Sequence, residues 1–393
     1  MMAANDLTIE DISTILTTAV NQATGQNALA PVNTAGFITV AQTALKCGAD
    51  TFLNALSQVL SKTVFSIRPY DRKFSGLMTD AITFGNHVRK LNISDDNDWD
   101  SPSQYPDNGD AVDMYITKKP NILQTNFYGQ NAYEKFVTVY TEQLNVALTG
   151  PDQFLSFVNM LMTSQRNQIE QAHEQTARLC LANLIGGIED ENDSTRVIKL
   201  VTDYNKELGN ETPLTLGELL SADNFPNFMK YIVYRIKTTM KYLTDRTVMY
   251  HTNITGKTIT RHTPLRSQHM YLNTDIMERS KTTVLADLYH DDYLKLADFE
   301  EVNYWQNPKD RMAINLTGSR ITAAGAVQAF TQNPLNNVLG VLFDWDAAGY
   351  TTILNRTDTT PFNARGLYSN IFWHFNDRYW NDFTENAVIF LLA

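Results

Sequence analysis

Cysteine is nearly absent: the 393 residues hold two, Cys47 and Cys180, and neither has partners at metal-ligand spacing. That excludes a disulfide framework and a cysteine zinc site, and predicts two reduced core thiols in a chain made in the cytoplasm. Basic residues are also in the minority, with 32 Lys and Arg against 43 Asp and Glu and a net charge of -11. A protein built mainly to grip a phosphate backbone needs concentrated positive surface, so that task is disfavoured. No apolar run approaches the roughly 20 residues that span a bilayer, and the N-terminus lacks a basic cluster followed by an apolar core. Neither membrane insertion nor signal-directed export is expected. There is no phosphate-cradling glycine loop, no G-x-S-x-G elbow, no H-E-x-x-H and no C-x-x-C. Catalytic residues, cofactors and metals are therefore expected to be none.

The chain does have a long stretch without internal breakers. From Pro151 to Gly187 no proline or glycine interrupts until Gly186, which predicts one helix started by Pro151 and stopped by the glycine pair. At 100° per residue, Phe154, Leu155, Val158, Leu161, Ile169, Ala172, Thr176, Leu179 and Cys180 share one side, with Glu170, Glu174 and Arg178 opposite. At 1.5 Å per residue this spine is roughly 50 Å long, which suits an elongated subunit.

Before it, residues 7–20 and 37–64 carry apolar residues at helical spacing, separated by the polar, Pro- and Gly-punctuated QATGQNALAPVNTAG. They read as a loose arm whose helices pack on a neighbouring subunit or, alternatively, back on the same chain. Near Asp80 the period becomes two: Ile82, Phe84, Val88, Leu91 and Ile93, then Val112, Met114 and Ile116, then Ile122 through Phe136 to Tyr140. These predict the strands of a long hairpin with an acidic tip, SDDNDWDSPSQYPDNGD. Asp96, Asp98 and Asp100 imitate the start of a calcium loop, but Ser101 stands where glycine belongs, Pro102 interrupts, and Asp107 replaces the bidentate glutamate. A solvated loop is the simpler reading.

After the spine, EDENDSTRVIKLVTDYNKELGNETPLTL reads as strand and loop. A second helix runs from about Pro226 to Leu243, apolar along Phe228, Ile232, Ile236, Met240 and Leu243, with Lys230, Lys237 and Lys241 in another row. That lysine row and the aspartates Asp96, Asp98 and Asp100 of a neighbour's hairpin tip are candidate intersubunit contacts. Residues 247–350 alternate short strands (Val248–Tyr250, Met270–Leu272, Val338–Phe343) with a helix from about Thr274 to Leu288, a separate lobe. The ending LYSNIFWHFNDRYWNDFTENAVIFLLA gives an aromatic alternating strand and then a wholly apolar one that must be buried in a sheet.

This order of parts resembles the major capsid proteins of tailed bacteriophages, the Hong Kong 97-type fold, and within them the head proteins of small short-tailed phages. The segments that carry the likeness are KPNILQTNFYGQNAYEKFVTVYTEQL, FPNFMKYIVYRIKTTMKYLTDRTVMYHT and ARGLYSNIFWHFNDRYWNDFTENAVIFLLA. The resemblance implies an α+β fold with an N-terminal arm (1–74), an extended hairpin loop (75–140), a peripheral domain (141–246 and 351–393) around the spine helix 151–187, and an axial domain (247–350). It implies self-assembly through hexamers and pentamers into an icosahedral head shell around a double-stranded DNA genome held without sequence-specific binding. A portal, and scaffolding or decoration proteins, are the implied partners, with no membrane; the virion is the implied location, after assembly in the host cytoplasm. The alternatives are a cargo-holding nanocompartment shell of the same fold, and a soluble metal-dependent enzyme using the cluster from Asp95 to Asp100.

Overall fold

The structure, a computed structural model, describes residues 73–78, 88–95, 112–115, 117, 119–140, 142, 151–209, 212–283, 299–331 and 334–393. The arm helices, Cys47, the hairpin tip with Asp96, Asp98 and Asp100, and the end of the helix expected to reach Leu288 lie outside these residues. Among them the order is β1 (Val88–Ile93), β2 (Ile122–Phe127), β3 (Gly129–Tyr140), α1 (Pro151–Glu191), β4 (Val197–Lys199), α2 (Leu200–Leu208), α3 (Leu216–Leu219), α4 (Phe225–Tyr242), β5 (Gln268–Asn273), α5 (Thr274–Thr283), β6 (Glu300–Val302), β7 (Thr317–Ile321), β8 (Val327–Thr331), β9 (Val338–Asp344), β10 (Ala348–Thr359), β11 (Tyr368–Asn381) and β12 (Ala387–Leu391).

Four sheets result. β1 and β2 form an antiparallel hairpin; β10, β11 and β3 form a second sheet in that order; β7 pairs with β8. The largest sheet runs β4–β12–β9–β5–β6 and is mixed, with β4 and β6 parallel to their neighbours. It is buried on both faces, which is why its central strands read as unbroken apolar runs. Val338, Val341 and Phe343 of β9 and Ile389 and Leu391 of β12 point into one core, where Leu181, Leu184, Ile185 and Ile188 of α1 meet them. Leu339, Leu342, Val388, Phe390 and Leu392 point into the other, covered by Phe228, Ile232, Ile236 and Met240 of α4. The terminal strand thus bridges two cores, and the sheet that holds it crosses the boundary drawn at residue 350.

Several sequence expectations need correction. The spine does not stop at Gly186 and Gly187; it continues to Glu191, 41 residues in all. Gly187 is needed inside the helix, because a Cβ there would lie 2.5 Å from the ring of Phe383. The stop falls at Asn192, which takes the left-handed conformation (φ 54°) that asparagine tolerates. Its exposed and buried sides also differ from the expected ones: Leu179 is 57% exposed, whereas Glu174 and Arg178 are buried. Val112 to Tyr115 form no strand. Asp113 accepts a hydrogen bond from the Tyr115 N–H (2.9 Å) and folds a turn instead. Val248 to Tyr250 form none either, since side chains of Asn253 and Thr195 take the Val248 and Met249 carbonyls that a ladder would use. The polar stretch after the spine, expected as strand and loop, contains the helix α2, closed by Gly209 at φ 64°.

Candidate assembly interface

The hairpin is amphipathic by alternation. Ile93 lies opposite Ile122 and Leu91 opposite Gln124. Leu91, Ile93 and Ile122 project outward and are 58%, 66% and 50% exposed, while Leu123 packs inward against Ile254, Ile259 and Ile321. Inward polar positions fix the hairpin to the body. The ammonium of Lys90 lies 3.0 Å from Asp382 and 2.5 Å from Glu385, and Arg261 meets Glu385 at 2.9 Å. Burial pushes Lys90 toward its neutral form, but the two carboxylates outweigh it and hold its pKa above the usual value. At the outer end of β1, Asp95 accepts from the Thr260 N–H and pairs with Arg246, each at 2.5 Å. Desolvation pushes the Asp95 carboxyl up; the bonds from Thr260 and Arg246 outweigh that and keep it low. A two-stranded ribbon is marginal by itself, so these anchors are what hold its apolar face out to solvent.

A second apolar surface lies on β3 and β11. Successive β11 side chains alternate, and Ser369, Ile371, Trp373, Phe375 and Asp377 are buried. On the opposite face Phe136, 54% exposed, stacks on Phe372 (5.4 Å), and Tyr140 meets Tyr368 edge-on (5.8 Å). His374 belongs to this outer face, its ring over Phe372 and its Nδ1 3.5 Å from Glu134. Large apolar groups exposed in contiguous patches mark surfaces used for association.

Behind this sheet a buried polar cluster joins four elements. Tyr133 of β3 donates to Asp377 Oδ2 of β11 (2.8 Å), Thr352 of β10 donates to Oδ1 (2.8 Å), and His173 Nδ1 of α1 lies 3.0 Å from Oδ2. Burial alone would raise the Asp377 carboxyl, yet these bonds hold it below the usual range. The imidazole and carboxylate are 7% and 0% exposed, so the cluster ties spine to sheet. Cys180 is a buried thiol, its pKa pushed up to about 12 by desolvation, and donates to the Trp380 carbonyl (3.3 Å). Such a thiol is packing, not chemistry.

Of the residues singled out from sequence, Lys230 and Lys241 lie exposed on α4 with Lys237 half-buried between them. Asp96, Asp98 and Asp100 lie outside the described residues. The Tyr133–His173–Asp377 cluster and the Glu174–Arg178 pair were not anticipated. For the pair, the Glu-x-x-x-Arg spacing was a visible signal, but periodicity assigned it to solvent. Among the described residues no group of three His, Cys, Asp or Glu is placed to hold a metal, and no helix is long and apolar enough to cross a membrane.

The fold is the α+β Hong Kong 97-type capsid fold that the order of parts suggested. A capsid structure of Staphylococcus phage Andhra is similar over 82% of this chain and 84% of its own, with a TM-score of 0.52 at 10% identity. A chain in the structure of the head fiber and inner core protein gp22 of native bacteriophage P68 is similar over 82% and 85%, with a TM-score of 0.53 at 9% identity. No curated protein matches the chain in sequence. Residues 12–391 match the family model described as Phi29-like phage major capsid protein. The chain therefore belongs to the Phi29-like major capsid protein family and forms the icosahedral shell of a phage head.

Proposed function

We infer that the chain works by association alone, without catalysing a reaction, and that hexamers and pentamers of it close around double-stranded DNA held without sequence-specific contacts. The observation that carries this reading is the hairpin face of Leu91, Ile93 and Ile122, held open to solvent by a rigid anchor of ion pairs. In this reading the hairpin lies over an adjacent subunit, α1 and the β10–β11–β3 sheet form the peripheral part, and the segment 247–350 points toward the capsomer centre. A portal takes the place of one pentamer, scaffolding or decoration proteins bind the same shell, and assembly takes place in the host cytoplasm before the protein resides in the virion. Many modest contacts suffice, since each subunit touches several neighbours at once.

The paired change of Leu91→Ser with Ile93→Ser tests it. Both side chains already meet water in the single subunit, so unfolding by denaturant should shift little, within about 0.5 kcal/mol. Particle formation should fall sharply. Normal particles from this variant would remove the hairpin face from the interface.

A further inference from the structure

We propose that the outer edge of β3 pairs antiparallel with the same edge of a second copy of this chain, with Phe136 on the two-fold axis. The proposal rests on the assembly reading above and names a joint separate from the hairpin face. β3 is an edge strand: the sheet order is β10–β11–β3, and the register with β11 runs unbroken from Gly129 to Tyr140. Among the described residues, no backbone hydrogen bond joins the stretch from Gly129 to Val139 to anything but β11. The outward N–H and C=O groups of this stretch are a template for another strand. Soluble proteins blunt an edge of 12 residues with proline, repeated charge or a bulge. β3 has no proline and no bulge, and carries one lysine and one glutamate. The far edge of the same sheet is treated differently, for β10 is bulged between Thr352 and Leu354 and Met78 bridges Tyr350.

The occupant follows from number and from side-chain complementarity. In a shell built of this chain every subunit presents the same edge, and another copy of the chain is a partner present in equal number. An isologous joint, each strand meeting its own twin, covers both edges with one surface. Antiparallel pairing about Phe136 sets Glu134 of one copy opposite Thr138 of the other, and Lys135 opposite Val137. Moving the axis to Glu134 or to Lys135 would oppose that charge to itself, and like charges directly opposite are unfavourable. The Phe136 register also continues an aromatic row. Phe136 is 54% exposed and stacks on Phe372 at 5.4 Å, and across the axis two copies extend this pair to four rings. Such a joint closes after two subunits, so contacts elsewhere, the hairpin face among them, must link the pairs into a shell.

Cysteine pairing is the test, read on non-reducing gels after diamide oxidation of the full chain, expressed with the other head proteins of its phage, in sedimented particles and in the unassembled fraction. Phe136→Cys places two thiols on the axis, where opposed Cα atoms lie about 4.5–5.5 Å apart, a span that a disulfide bridges. A chain carrying both Glu134→Cys and Thr138→Cys makes the same test with Phe136 intact. Each should give a reducible dimer about tenfold above the parent chain, since thiols held opposite one another react as if intramolecular. Glu134→Cys alone and Thr138→Cys alone should stay at the parent level, because each thiol is then roughly 14 Å from its twin. Absence of the dimer from both Phe136→Cys and the double variant overturns the proposal. A dimer from Glu134→Cys alone as abundant as that from the double variant overturns it too, since the proposed register keeps those thiols apart. A reducible band joining the chain to a different head protein also overturns it, and gives the edge to that partner. Failure of the parent chain to form particles would instead contradict the assembly reading itself.

Discussion

Glu174 and Arg178, one turn apart on the spine helix, form an ion pair at 2.6 Å in which both side chains are only 7% exposed. The guanidinium lies between two rings, 3.8 Å from the centroid of Tyr304 and 4.9 Å from that of Phe74, and also donates to the Tyr304 carbonyl. Phe74 sits in a left-handed conformation (φ 66°) and, with Leu77, plugs the core beside α1. The pair is thus the point where the N-terminal segment is fastened to the spine. Arg178→Ala would take the guanidinium from the buried Glu174 carboxylate, which still accepts from the Lys73 N–H (3.4 Å), and should cost about 1–3 kcal/mol. Denaturant unfolding should show a loss of that size, and Glu174→Gln combined with Arg178→Met should lose clearly less.

Gly187→Ala separates two readings by sign. An alanine replacing glycine inside a helix gains about 1 kcal/mol from propensity alone. Here the new Cβ would sit 2.5 Å from the Phe383 ring, so overpacking should win and destabilise by about 1–3 kcal/mol. A rise in melting temperature would show that the helix and ring separate easily.

Removing Val388 to Ala393 should prevent folding, because it takes a strand from between β4 and β9 and opens both cores at once. Soluble, cooperatively unfolding protein after this deletion would contradict the central place of β12. The milder Phe390→Ala should fold with a loss of about 3–5 kcal/mol.

The Asp377 cluster gives a pH dependence with a definite sign. Its carboxyl has a lowered pKa in the folded chain, so the unfolded state takes up a proton first as acid is added. The stability it contributes is fully present above the ordinary aspartate value of about 3.9 and is lost as pH falls below that toward the folded value. Asp377→Asn should be less stable than the parent at neutral pH, and the difference should shrink in acid. Unfolding curves recorded from pH 7 down to pH 3 check this, and a constant difference across the range would contradict it.

The long-range plan was legible because it is written in period and punctuation. The Pro151 start, the alternation of β11 and the unbroken apolar run of β12 each follow from one physical rule. Where a residue answered to a distant partner, periodicity misled. Gly187 looked like a helix stop but makes room for Phe383, nearly two hundred positions away; Leu179 looked like core because periodicity marks an apolar side without saying what covers it. Arg178 looked like surface because nothing local reveals that Phe74 and Tyr304 will cover it. The surface features were legible only in part. The lysine row of α4 follows from spacing, whereas the aromatic face of Phe136 and Phe372 needs the pairing of β3 with β11 to exist at all.

The central claim is that this chain closes into a shell. Electron microscopy with sedimentation on the full chain, expressed alone and together with the other head proteins of its phage, tests it most directly. Closed icosahedral particles or uniform capsomer rings in at least one condition are the predicted result. A monodisperse monomer in both conditions, at high protein concentration, would contradict the account.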